Sequence, residues 1–468
     1  MTRPTRDPGS ADPRLGVRRL LGVVTRVESE EVAASLGLLA SVFLILLAYY
    51  LIKPAREGWL AVSPVGELSK IEIKAYSSLG QVLLLVPLMR FYSRLVASWP
   101  RGRLVARVTI FLGSNLVVFW LVQPGLLLDR APWAGIAFYL WVGVFNVFIV
   151  AQFWAYVADF YSTEAGRRLI PLIALGANAG AVAGAWLAER LVKGWAVSGY
   201  DLLLLSVAPL ALSLVLLLQA ERRGPSGQGA PTGPSGGGAP SPGRTDRAAL
   251  ALIQGRPLLA AIAGLTVVFG WVGANGENLL FSAVQNAVEL RAAAEGIGDG
   301  ASRSAFVLAE TTGFYGNFYF QVNLASFLLQ ALVASRLVRL GGFGVVFLCL
   351  PLVSVLGYLA MAVFPVLAVI QVAKVTENST NYSIHNTARG ILWLPMTTEE
   401  KFKAKPAVDT LFVRCGDGLA ALTVLVAVDW LGVVPIRIFW LNVGLGVLWV
   451  GLALWIARVR QGLLEEAV

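Results

Sequence analysis

Twelve apolar runs divide the chain, near residues 33–53, 71–91, 104–124, 133–157, 168–190, 201–220, 257–283, 315–336, 342–363, 365–388, 407–428 and 435–457. Each is long enough to cross about 30 Å of hydrocarbon as a helix. The pattern predicts an all-α polytopic membrane protein with twelve transmembrane helices. Between the sixth and seventh runs, residues 224–243 read GPSGQGAPTGPSGGGAPSPG. Such a stretch has nothing apolar to bury and predicts a flexible tether. The expected organisation is an N-terminal segment over 1–31, with a short interfacial helix at 20–31, then a six-helix bundle over 32–220. A linker over 221–250, a second six-helix bundle over 251–458 and a tail over 459–468 follow.

One run departs from uniform apolarity. Wound at 3.6 residues per turn, the tenth run places Lys374, Glu377, Asn378, Asn381, Tyr382, His385, Asn386 and Arg389 on one half of the helix. The smaller Thr376, Thr380, Ser383 and Thr387 fall on the other half. A charge at mid-bilayer costs roughly 2.5 to 3.5 kcal/mol on insertion scales, so this face needs water or partner side chains, and a cavity between helices supplies both. His385 is the sole histidine of the chain. Its side chain titrates near neutral pH, which leaves open both a proton-coupling role and a hydrogen bond to Asn381 or Arg389.

Composition narrows the class. Hydrophobic residues make up 57% of the 468, charged residues 14%, and the mean hydropathy is +0.70, outside the range of soluble domains. The formal charge of +10 concentrates in alternate loops, around Arg94, Arg101, Arg103, Arg167, Arg168, Arg222, Arg223, Lys401, Lys403 and Lys405. The positive-inside rule then puts both termini and the tether of this multi-pass protein in the cytoplasm. Aromatic-interleaved basic patches of the kind that bind nucleic acid polymers are missing. The arginine-rich start lacks an apolar core before the first run, so that run is the expected targeting signal. Cys349 and Cys415 suggest no disulfide framework and no metal site.

The two halves echo each other. At an offset of about 235, Thr163, Glu164 and Pro171 align with Thr398, Glu399 and Pro406; at about 220, Glu57 and Leu60 align with Glu277 and Leu280. Together with the six-plus-six count, this fits the parallel repeat of a major facilitator-type transporter. The end of the first run, LAYYLIKPAREGWL, holds Lys53, Arg56 and Glu57 around a kinking Pro54, and Lys70, Glu72 and Lys74 open the second. Arg56, Glu57 and Lys74 are expected to face inward, whereas Lys53 and Lys70 either face inward or snorkel to the interface. Other intramembrane polar groups are Gln152, Trp154 and Asp159 in the fourth run, Asn178 in the fifth, and Asn275, Glu277 and Asn278 in the seventh. Gln321 and Asn323 lie in the eighth, and Asp409, Arg414 and Asp417 in the eleventh, where Arg414 and Asp417 at i, i+3 can meet. Singly, each suits a helix-to-helix hydrogen bond; together they suggest a central polar cavity.

Gly176, Gly180 and Gly184 recur every four residues and predict close helix packing. No P-loop, HExxH or paired CxxC occurs in the chain. The one Gly-x-Ser-x-Gly, at 233–237, falls in the tether, where no strand-turn-helix could hold a nucleophile, and Asn378-Ser379-Thr380 is a glycosylation pattern inside a run. Neither an enzyme nor a cofactor is expected.

Three segments carry a resemblance: YYLIKPAREG, FWAYVADFYSTEAGRRLIPLIALGANAG and TTEEKFKAKPAVDTLFVRCGDGLAAL. They resemble the ATP/ADP-exchanger-type nucleotide transporters of bacteria and plastids, especially divergent bacterial relatives, over nearly all of residues 20–460. The resemblance implies that Arg56 and Glu57 fill the basic and acidic positions after the first helix. It also implies that Lys74 is the lysine of the second, and that Lys403, Lys405 and Asp409 are the lysines and acid entering the eleventh. Where true exchangers tend to have Arg-Asp-x-Lys-Asp, this chain has Lys53, Pro54, Ala55, Arg56 and Glu57, and no lysines follow Glu277 and Asn278.

The expected site is therefore Arg56, Glu57, Lys74, Asn275, Glu277, Lys374, Glu377, Asn378, Asn381, His385, Arg389, Asp409 and Arg414. Among the inward candidates Arg56, Lys74, Lys374, Arg389 and Arg414 outnumber Glu57, Glu277 and Glu377, so the expected cargo is a small anion. The resemblance makes it ATP, ADP or another phosphorylated metabolite and implies a bacterial inner membrane. The two-bundle organisation implies alternating access across the lipid bilayer, and a monomer is the expected form. Two other readings stay open: a proton-coupled exporter of amphipathic or cationic compounds, and a non-transporting scaffold whose polar stripe is buried against its neighbours.

Overall fold

The computed structural model describes residues 31–99, 101–127, 132–223 and 249–465. The expected tether at 224–243 lies outside the described residues, as does the expected interfacial helix apart from residue 31. No β-strand occurs among the described residues. The helices are α1 (Val32–Ala61), α2 (Lys70–Ser98), α3 (Arg101–Leu121), α4 (Ala134–Phe160), α5 (Thr163–Glu189) and α6 (Asp201–Arg223). In the second half α7 is Pro257–Ala294, and α8 is Ala301–Leu328 with the π-helical continuation Leu329–Ala334. The next helix, Ser335–Val363, breaks at Gly342, whose φ of 66° and ψ of −171° turn the chain around. Residues before the break continue α8 and those after it form α9. The helix α10 comprises Leu367–Thr380, the π-helical Asn381–His385 and Asn386–Leu392. The pieces from Glu400–Ala404 to Leu425–Trp430 make α11, and Ile438–Glu465 is α12.

Ten helical stretches among the described residues are long and apolar enough to cross a membrane, and one of them, Ala301–Val363, contains both α8 and α9. The helix that falls short is α10, because its polar stripe lowers its mean hydropathy. It is carried by packing against α7, α8 and α9 rather than by its own apolarity. The apolar runs understate several helices. At about 1.5 Å per residue, the 38 residues of α7 far exceed the hydrocarbon. Its last turns and the first turns of α8 project beyond it as an exposed hairpin, tied by Arg291 to Glu310 at 2.8 Å and by Arg303 to Glu289 at 2.5 Å. Hydropathy cannot see these turns because charged, ion-paired residues form them.

Packing repeats at an interval of six helices. The α1 helix lies against α5 and α6 as α7 lies against α11 and α12; α3 meets α6 as α9 meets α12. The halves join through α1 and α5 on α8, and through α2 on α7 and α11. Glycines set the tightest seams. A Cβ at Gly176, Gly180 or Gly184 would stand 2.5, 2.2 and 2.5 Å from the carbonyl oxygens of Leu39, Phe43 and Leu47 on α1. The four-residue glycine spacing of α5 thus runs in register with a four-residue row on α1, the close packing that the sequence suggested. The matching seam in the second half uses Gly270 of α7 against the Val413 carbonyl at 2.7 Å, and Gly416 of α11 against the Val267 carbonyl at 2.5 Å.

Candidate functional site

Near the α1–α2 loop the first half assembles a charged cluster that hydrocarbon would not tolerate alone. Pro54 lies inside α1 and leaves the helix continuous. In the following turn, Glu57 is fully buried and receives Arg56 on Oε1 and Lys74 from α2 on Oε2. Both cations also cover the ring of Tyr139 on α4, at 4.5 and 4.8 Å from its centroid, and Lys74 lies 5.2 Å from the Phe281 ring of α7. One carboxylate with each oxygen engaged is how a buried charge of this kind is held.

Lys53 belongs to the same space. Its ammonium lies 3.9 Å from the ring centroid of Tyr319 on α8, 5.2 Å from Tyr50 and 5.7 Å from Tyr49. Among the described residues it makes no ion pair, and it is buried rather than snorkelling outward. Three ring faces are its counterpart. Lys70 instead reaches back to the Ala61 carbonyl at 2.6 Å, at the interfacial end of α1.

The second half supplies a complementary cluster. Lys374 of α10 is 2.5 Å from Glu377 and 3.5 Å from Glu277 of α7. Glu377 also accepts from Ser354 at 3.0 Å and Tyr358 at 3.2 Å, both on α9. Glu277 accepts from Asn378 at 3.0 Å and keeps 34% of its side chain exposed. The absent side chain of Gly276 makes room: a Cβ there would fall 2.0 Å from the Tyr358 hydroxyl and 2.7 Å from the Lys374 ammonium. The aligned carboxylates Glu57 and Glu277 thus each receive a lysine from another helix of their own half. A further polar contact crosses the boundary, where Asn317 of α8 donates to Glu189 of α5 at 3.1 Å; within α8, Gln321 donates to Asn317 at 2.6 Å.

The other expected site residues lie elsewhere. Asn275 donates to Asn442 of α12 at 3.0 Å, a bond inside the second bundle. His385 is buried among Phe269, Phe347 and Trp449, at 5.4, 6.3 and 6.1 Å between ring centroids, and its Nδ1 has no hydrogen-bond partner. It bonds neither Asn381 nor Arg389, because the π-helical turn at Asn381–His385 redirects the face beyond it into the bundle. A water-sized cavity lies beside it, lined by Thr266, Phe269, His385, Arg389 and Asp409 among others. Arg389 is ion-paired with Asp409, and Arg414 with Asp417 at 2.9 Å. Neither arginine is a free cation, so the charge excess drawn from them is smaller than the sequence suggested. Asn381 is half-buried. Lys403 engages the exposed Glu399 at 2.7 Å, and that hydrogen bond holds the Glu399 carboxyl below the usual carboxylate range.

Sequence reasoning left Lys53 undecided and missed the tyrosines around it. Tyr49 and Tyr50 stand four and three residues before Lys53, a spacing that places their rings on its face of the helix. Tyr319 comes from another helix and left no signal near it.

No protein-family model matches the chain. No curated protein sequence matches it either. Solved structures do. A bacterial homologue of the human lysosomal transporter Spinster, inward-facing and unoccupied, has a TM-score of 0.60 at 13% identity, covering 92% of this chain and 98% of its own. The nucleoside transporter NupG gives 0.56 at 12%, covering 91% and 99%, and a D-xylose-proton symporter 0.59 at 12%, covering 90% and 96%. Identities this low speak for the fold: the chain has the twelve-helix, two-bundle architecture of the major facilitator type.

Proposed function

We propose that the chain is a secondary transporter working by alternating access, and that its cargo is an anionic solute of the nucleotide-like or phosphorylated class. The observation that carries this reading is Lys53, a buried ammonium at the boundary of the two halves with aromatic faces around it and, among the described residues, no carboxylate on it. A buried cation without a counter-ion is costly, and an arriving phosphate or carboxylate would relieve that cost. Arg56 and Lys74, already on Glu57, stand beside it to widen the positive field. The likeness of YYLIKPAREG to nucleotide exchangers points to the same cargo class, and the cytoplasmic placement of both termini belongs to the same proposal.

The test is uptake of radiolabelled ATP, ADP, AMP and simpler organic phosphates by proteoliposomes. Saturable flux of at least one, lost in Lys53→Met, is expected. Absence of flux for every phosphorylated compound, or a Lys53→Met protein indistinguishable from wild type, sinks the anion reading. Export of amphipathic cations is disfavoured because Lys53, Arg56 and Lys74 against the one carboxylate of Glu57 give the first half an excess of positive charge.

A further inference from the structure

The two halves bring opposite charge to the shared space. On α1 and α2, Lys53, Arg56 and Lys74 face the single carboxylate of Glu57, an excess of two positive charges. On α7 and α10, Glu277 and Glu377 face the single ammonium of Lys374, an excess of one negative charge. Each excess resides on particular groups. In the first half one charge of the excess stays on the Arg56–Lys74–Glu57 group, whose carboxylate is saturated, and the other is Lys53. In the second it is Glu277: Lys374 sits a full 1.0 Å nearer Glu377, which Ser354 and Tyr358 also hold. Both protein contacts of the Glu277 carboxylate fall on Oε1. Lys53 and Glu277 are within electrostatic range of one another across the boundary, yet among the described residues they form no ion pair.

A site meant for a plain anion would gain nothing from a partly exposed carboxylate facing it, and would lose affinity to repulsion. We propose that the cargo is dipolar: an anionic group seated at Lys53 and Arg56, and an amino or comparable hydrogen-bond-donating group at its far end seated on Glu277. This rests on the transport reading above and adds the second pole. The cargo would then bridge the halves, contacting α1 with one end and α7 with the other, so that its occupancy is coupled to their separation.

The test compares matched solutes in proteoliposomes containing the full chain. AMP carries an exocyclic amine and IMP a carbonyl at the same position; O-phosphoethanolamine carries an ammonium and glycerol phosphate does not. Wild type is expected to take up the amine-bearing member of at least one pair about tenfold faster or more, the ratio that a hydrogen bond to a charged group supports. In Glu277→Gln that ratio is expected to fall toward one, whatever the absolute rate. Equal uptake within both pairs by wild type overturns the dipolar proposal and leaves the anion reading standing, without recourse to any variant. A preference that survives Glu277→Gln, in protein that remains monodisperse on gel filtration, also overturns it. Failure to take up any of the four overturns the dipolar proposal, and the anion reading falls with it when ATP and ADP are not taken up either.

Discussion

At the scale of single residues, the chain separates charges held for structure from charges left over. Glu57 is the structural kind. Removing its charge strands Arg56 and Lys74 in a buried site, and breaking a buried pair in this way costs about 3 to 5 kcal/mol. Glu57→Gln is therefore expected to lower the melting temperature in detergent by several degrees and to reduce the yield of monodisperse protein. Glu57→Asp, which keeps the charge, should recover part of the loss. His385 is the contrasting case, with an imidazole packed among three aromatic rings and Nδ1 unsatisfied. Phenylalanine matches the ring and removes the unpartnered polar atom, so His385→Phe should leave the melting temperature unchanged or raise it. Uptake of the anion should stay within about twofold of wild type, since His385 lies outside the charged cluster. Loss of pH dependence in that variant would instead favour proton coupling through the imidazole. Polar pattern alone grouped His385 with Lys374 and Glu377, since a helical wheel assumes an unbroken helix. A single π-helical turn sends them to different neighbours.

At the scale of helices, the seams are glycine-made and the polar helix is held by others. A Cβ at Gly180 would press on the Phe43 carbonyl, part of a backbone that cannot step aside as a side chain can. Gly180→Val should thus separate α1 from α5 and abolish accumulation of folded protein. By contrast Ala179→Val, at the exposed neighbouring position of the same helix, should be tolerated far better; fluorescence-detected gel filtration of both reports the difference. The glycine row was legible in the sequence because its spacing is local. The partner row at Leu39, Phe43 and Leu47 was not, since apolar side chains carry no mark of which backbone will lie against them. Helix lengths were read short for a similar reason: ion pairs between α7 and α8 support turns that look like loop.

At the scale of the whole molecule, the halves are closed against each other toward the α1–α2 loop. A Cβ at Gly58 would stand 2.1 Å from the Thr312 hydroxyl and 2.9 Å from the Leu308 carbonyl, and Tyr76 of α2 donates to Asp429 of α11 at 2.7 Å. Alternating access requires this side to open in turn. Gly58→Val should act as a wedge that shifts the population toward opening there. In a background with Cys349 and Cys415 replaced by serine, Thr312→Cys should react slowly with a membrane-impermeant thiol reagent applied from that side, and several-fold faster once Gly58→Val is added. Equal rates would mean that these contacts do not form the closed gate.

The sequence by itself determined the class, the helix count, the repeat and the presence of charges that hydrocarbon would not accept. These follow from hydropathy and local spacing, which act over a few residues. Only the tertiary structure decided which charges cancel. Arg389 with Asp409 and Lys74 with Glu57 are partners 20 and 17 residues apart on different helices, and the Lys53 ring cage closes only when α8 delivers Tyr319. Electrostatic compensation depends on distance in space, and distance in space between helices is what a one-dimensional pattern does not contain.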